Sequence, residues 1–182
     1  MSGFNGGVST NIIFLFSFFK LFVLNKNITK EQAFQKIKQY CAYQERSHYE
    51  AKEKLYSFGL HKTDVEPILS KLIEENYLNE ERFAILFAGG HFRTKKWGRV
   101  KINAALQQKR VSSYNIRKGL KEIEEEDYRK CLLQLASTKW KSLKNEQWLS
   151  RMAKTTNYLL QKGYEANLIQ HAISEIRSKE KE

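Results

Sequence analysis

From residue 28 onward, apolar side chains recur at the 3.6-residue spacing of helices that bury one face. Ala33, Phe34, Ile37, Tyr40 and Cys41 form the first stripe. Ser47-His48-Tyr49-Glu50 reads as a capping box, in which the serine oxygen accepts from the Glu50 backbone N–H and the Glu50 carboxylate reaches back. A helix through Ala51, Leu55 and Phe58 should follow and stop at Gly59, a natural residue for the left-handed turn past a helix end. Thr63 and Asp64 offer the next cap. Asp64 is the better of the two, because it places Pro67 in the first turn, where a missing N–H has no intrahelical partner to lose. Val65, Leu69 and Leu72 form that helix's stripe. Asn79 is a further cap, with Leu78 and Phe83 at staple positions and Glu80 and Glu81 at the positive helix end.

The stripes repeat. Gly59, Arg110 and Gly163 are equivalent points, 51 and 53 residues apart. Four residues before them stand Leu55, Leu106 and Leu159, and one residue after them Leu60, Val111 and Tyr164. Six after come Val65, Ile116 and Ile169, ten after come Leu69, Leu120 and Ile173, and thirteen after come Leu72, Ile123 and Ile176. Five apolar positions therefore agree in register across three copies. The expected fold is all-α: a tandem array of three three-helix repeats forming an elongated, curved body. The repeats are residues 28–76, 77–125 and 126–178, with a charged tail at 179–182. Their least regular helices are the first ones, over residues 33–41, 83–92 and about 128–140. Such a body has little depth for an enclosed pocket and a long surface for a large, extended partner.

Residues 1–27 stand apart. Residues 12–24 are apolar except for Ser17 and Lys20. As a helix they cover about 20 Å, short of a hydrocarbon core of about 30 Å. No Lys or Arg precedes the run and no small-residue cleavage site follows it, so it is not a signal peptide. Three readings stay open: an extension packed on the fold, an interfacial anchor, or a start codon assigned too far upstream. The third is favoured, because nothing later in the chain asks for this segment.

Composition sharpens the picture. One proline and nine glycines in 182 residues, three of them in the first seven, are too few for the turns of an all-β fold. Two cysteines exclude a disulfide scaffold and a four-cysteine zinc site. The net charge of +12 is concentrated: residues 82–121 hold 11 Lys and Arg and no Asp or Glu. Forty residues without a counter-charge read as a docking surface for something anionic rather than as a solvated helical face.

Enzymatic signals are weak, and the chain reads as a non-enzyme with no cofactor and no small-molecule substrate. His48, His61, His91 and His171 are scattered and none pairs at i,i+4. There is no phosphate-cradling glycine loop and no GxSxG. Glu124-Glu125-Glu126-Asp127 fits a solvated helix boundary. Cys41 and Cys131 lie on apolar faces, as inert thiols suited to a reducing cytoplasm.

Three stretches, taken in order and at their spacing, resemble the RecX family of bacterial recombinase regulators. They are Asn76-Tyr77-Leu78-Asn79-Glu80-Glu81-Arg82-Phe83-Ala84, then Lys96-Trp97-Gly98-Arg99-Val100-Lys101-Ile102-Asn103-Ala104-Ala105-Leu106-Gln107-Gln108-Lys109-Arg110-Val111, then Tyr158-Leu159-Leu160-Gln161-Lys162-Gly163-Tyr164. Glu45-Arg46-Ser47-His48 with Glu50 and Leu55 also matches, and the likeness runs over about residues 28–177. The resemblance implies a chain of three-helix repeats that lies in the groove of the RecA filament and suppresses its ATPase and strand exchange. The implied partners are that filament and the single-stranded DNA within it, met by a cytoplasmic monomer. The candidate contact residues are Arg93, Lys95, Lys96, Arg99, Lys101, Lys109, Arg110, Arg117, Lys118 and Lys121. Trp97 among them fits a core or staple residue better than a base-stacking platform.

The chain departs from the family pattern in three places. Gly89-Gly90 inside a helix should kink it or end it early. Arg110 stands where the family has glycine, so it must adopt a left-handed conformation or the helix must end another way. The apolar N-terminal segment has no counterpart. The alternative function is a direct nucleic-acid-binding helical-repeat protein, although no helix carries an obvious base-reading set.

Overall fold

The structure, a computed structural model, describes residues 28–179. Among the described residues there are nine α-helices and no strand. They are α1 (Lys30–Tyr43), α2 (His48–Ser57), α3 (Lys62–Glu74), α4 (Glu80–Lys95), α5 (Arg99–Gln108), α6 (Ser113–Lys121), α7 (Glu125–Ser142), α8 (Trp148–Lys162) and α9 (Ala166–Lys179). Helices pack chiefly within successive sets of three, α1–α3, α4–α6 and α7–α9. The array is thus helical throughout, as the periodicity predicts.

The register of the repeat is the register of burial. Of the fifteen apolar positions aligned across the three copies, fourteen are buried and Leu120 is half-buried. The second helix of each set ends in the same left-handed turn, at Gly59 (φ +86°), Arg110 (φ +57°) and Gly163 (φ +89°). Arg110 therefore takes the left-handed conformation without being glycine, at a cost of about 1–2 kcal/mol. Its guanidinium stacks 4.5 Å from the Tyr49 ring centroid, which offsets part of that cost.

Several helix starts match the sequence. Ser47 accepts from Glu50 N at 3.1 Å while Ser47 N donates to the Glu50 carboxylate at 3.0 Å. Asn79 accepts from Arg82 N at 2.9 Å. A third cap, Thr29 with Gln32, makes the same reciprocal pair. The expected Asp64 cap is not observed. Helix α3 starts at Lys62 after His61, and Pro67 falls in its second turn. Asp64 instead pairs with Lys30 across the unit at 2.6 Å, so its carboxylate is engaged elsewhere.

Helix α4 runs unbroken through Gly89-Gly90, contrary to the expected kink. Gly89 is buried, and a Cβ there would lie 2.8 Å from the Arg93 guanidinium folded over it. The helix also rests closely on α6: a Cβ on Gly119 would stand 2.6 Å from the Ala84 carbonyl oxygen. Packing of this kind overrides a helix propensity deficit of about 1 kcal/mol per glycine.

The described residues hold two apolar cores. One lies in the first unit and includes Phe34, Ile37, Leu55, Val65, Leu72 and Leu78. The other is continuous through the second and third units, from Phe83 and Leu106 to Trp140, Tyr164 and Ile176. No helix among the described residues is long and apolar enough to cross a membrane. The segment at residues 12–24, with its three readings, lies outside the described residues.

Candidate polyanion interface

The basic middle begins where α4 turns into α5. Lys96 takes a left-handed conformation (φ +55°), and Gly98 starts α5. Gly98 N donates to Lys162 O at 2.8 Å, and Val100 N to Gly163 O at 3.0 Å. This corner leaves no room for side chains. A Cβ on Gly98 would stand 2.1 Å from Gly163 O, and one on Gly163 would stand 2.2 Å from the Lys101 Cβ.

Arg99 sits at the centre of this contact. Its backbone N–H donates to the Tyr128 hydroxyl at 2.9 Å, and that hydroxyl donates to Glu165 at 2.6 Å. The Arg99 guanidinium lies 4.1 Å from the Tyr128 ring centroid, pairs with Glu125 at 2.8 Å and donates to Ile123 O at 3.1 Å. Burial, and then the Glu165 carboxylate, push the Tyr128 hydroxyl far above the usual tyrosine range. Arg129, and then Arg99, hold the Glu125 carboxyl below its usual value.

The other candidate cations fall into groups. Lys109 pairs with Glu50 of the first unit at 2.6 Å, and Arg110 stacks on Tyr49. Burial acts to raise the Glu50 carboxyl, but hydrogen bonds from Lys109 and the Ser47 backbone outweigh it and leave it lowered. Lys118 pairs with Glu81 at 2.8 Å within the second unit. Lys95 and Lys101 lie 5.0 and 4.9 Å from the Trp97 ring centroid, and Lys101 also donates to Gln161 O. The side chains of Arg93, Lys96, Arg117 and Lys121 are exposed and make no hydrogen bond, ion pair or ring contact with any described residue. Arg117 and Lys121, one helical turn apart on α6, line an open depression with Arg99, Leu120 and Glu124.

Trp97 is half-buried, packed on the shared core and 4.7 Å from the His91 ring. Its packing on that core gives it a place in the fold, with two lysines beside its ring. Cys41 is buried, and burial pushes its thiol up to about 11. Cys131 is half-buried and accepts a hydrogen bond from the Tyr164 hydroxyl. Among the described residues no group of three His, Cys, Asp or Glu side chains could hold a metal ion.

Sequence reasoning missed Arg82, Tyr128 and Glu165 as functional parts. Arg82 bonds Glu45 of the first unit at 2.6 Å and the Asn76 side chain at 3.0 Å. The partners lie 37 residues apart for both Arg82–Glu45 and Tyr128–Glu165. No local pattern carries such a pairing. The signal that could have found the corner is the presence of Gly98 and Gly163 in two separate motifs.

Known proteins share this arrangement. The model of the second three-helix domain of RecX matches residues 79–120, and that of the third matches residues 125–173. The Regulatory protein RecX of Bacillus thuringiensis (strain Al Hakam) is 26% identical over 147 residues, 81% of this chain and 54% of that protein. That of Bacillus cereus (strain AH187) matches equally. The chain spans about half the length of these curated relatives. The crystal structure of RecX from Lactobacillus salivarius superposes with a TM-score of 0.75 at 21% identity, covering 81% of this chain and 96% of that one. A second crystal structure, of a regulatory protein RecX, gives 0.73 at 20% identity, covering 94% and 81%. These likenesses concern the fold. The two domain matches are consecutive, fall on α4–α6 and α7–α9, and together take in half of the sequence, so the chain belongs to the RecX family.

Proposed function

We propose that this chain is a cytoplasmic, monomeric regulator of homologous recombination that binds the RecA–DNA filament in its groove and restrains ATP turnover and strand exchange. One observation carries the reading. A 40-residue stretch without Asp or Glu makes up most of the middle unit of a helical array and leaves the side chains of Arg93, Lys96, Arg117 and Lys121 without internal partners. Kinship with regulatory proteins supports a role without chemistry of its own.

The physical mechanism is restraint. An array that touches adjacent protomers of a filament opposes any rearrangement that changes their spacing. The free cations supply long-range attraction to the polyanion, and the paired ones keep the array in shape. If the four free cations each neutralise a phosphate of single-stranded DNA, log affinity falls with log salt at a slope of about −3.

The test is RecA-dependent ATP hydrolysis on single-stranded DNA, titrated with this protein. Inhibition at substoichiometric ratios is expected, with poor binding to bare duplex at physiological salt. Strong duplex binding without an effect on hydrolysis would favour a direct nucleic-acid-binding protein instead.

A further inference from the structure

The junction between the first and second units is held by charge, and its cations belong to the basic middle. The apolar core stops there. Across the gap stand Glu45–Arg82 and Glu50–Lys109, both at 2.6 Å, with side chains between a quarter and about a third exposed. The segment that carries the acidic partners, the loop before α2 and the first turn of α2, is poorly satisfied. Glu45 Oε2, Arg46 Nε and His48 Nε2 are buried without a hydrogen-bond partner. An open groove of about 330 Å³ separates Gln44 and Glu45 from Phe83, Leu86 and Phe87 of α4. Buried unpartnered polar atoms and unfilled space both lower the cost of separation.

We propose that phosphates compete with Glu45 and Glu50 for Arg82 and Lys109, so that polyanion binding unlatches the first unit from the second. This rests on the reading that the basic middle meets nucleic-acid phosphates. Arg82 and Lys109 are reachable from solvent, and a phosphate oxygen offers each the same acceptor that a carboxylate does. Nucleic acid carries many such acceptors in a row, so it can replace both carboxylates together. The second and third units move as one, because their junction is an apolar core with backbone hydrogen bonds across it.

The test uses the full chain with two fluorophore pairs in a Cys131→Ser background. One pair is attached at Ser70→Cys and Gln107→Cys, and the other at Gln107→Cys and Ser174→Cys. A short oligothymidylate at low salt is the probe, with its binding followed by anisotropy. On binding, energy transfer should fall for the first pair and stay constant for the second. Glu45→Gln and Glu50→Gln should each tighten oligothymidylate binding about two- to fivefold, the scale of one half-exposed ion pair. Glu45→Gln leaves the Ser47–Glu50 capping box intact, so it reads the competition even if Glu50→Gln loses structure. Unchanged or weaker binding by Glu45→Gln, or bound oligothymidylate with unchanged transfer in the first pair, overturns the latch and leaves the functional reading standing. No binding of oligothymidylate or of recombinase filament overturns both.

Discussion

The two junctions of this array solve the same problem with different chemistry. Between the second and third units, the almost fully buried Tyr128 of α7 packs on Phe92 of α4 with ring centroids 5.8 Å apart, and two glycines let backbone meet backbone. Between the first and second units, two ion pairs and an arginine stacked on tyrosine bridge separate cores. Apolar burial is not screened by salt, whereas partly exposed ion pairs are. The junction closed by apolar packing therefore joins the unit that carries most of the basic surface to the third unit, and the junction closed by ion pairs attaches the first unit. The comparison also separates two kinds of cation that composition alone lumps together. Arg82, Arg99, Lys109 and Lys118 hold the protein together, while Arg93, Lys96, Arg117 and Lys121 are free for a partner.

The harshest way to break the comparison is at the close-packed junction. Gly98→Ala places a Cβ inside the Gly163 carbonyl and should destabilise by about 3 kcal/mol or more in urea denaturation. A smaller loss would mean that the corner is not close-packed. Tyr128→Phe keeps the ring but strands the Arg99 N–H and the Glu165 carboxylate, and should cost about 1–3 kcal/mol in the same assay.

Two milder changes sharpen the other side. Arg110→Gly and Arg110→Ala both lose the stack on Tyr49, but only glycine relieves the left-handed backbone. Glycine should therefore be the more stable of the two by about 1 kcal/mol, measured by thermal denaturation. The smallest effect is pH-dependent. The Glu50 carboxyl lies below its ordinary value of 4.5, so its contribution is fully present above that pH and is lost as pH falls through the lowered value. After allowance for screening it amounts to about 0.5 kcal/mol. Replacing it by Gln should flatten the stability profile at the acid end and nowhere else.

What the sequence made legible were features with a short period or a local partner. The five-position apolar register and the caps at Ser47 and Asn79 depend on neighbours a few residues away, and they appear as expected. The failures share a cause. Asp64 looks like a cap until Lys30, 34 positions earlier, claims its carboxylate. Gly89-Gly90 looks like a break until the Arg93 guanidinium folds over Gly89 and α4 packs on α6 through Ala84 and Gly119. The basic stretch was visible as a whole, but the acidic partners of Arg99, Lys109 and Lys118 lie 26 to 59 residues away. Which cations were internal could not be read from a run of like charge.

The most direct test is a comparison of two proteins in RecA-dependent ATP hydrolysis on single-stranded DNA. One is the unaltered chain and the other carries Arg93→Glu, Lys96→Glu, Arg117→Glu and Lys121→Glu, exposed positions whose side chains make no ion pair, hydrogen bond or ring contact with a described residue. The account predicts that the unaltered chain inhibits and that the variant, with unchanged helicity, does not. Equal inhibition by both, or inhibition by neither, would contradict it.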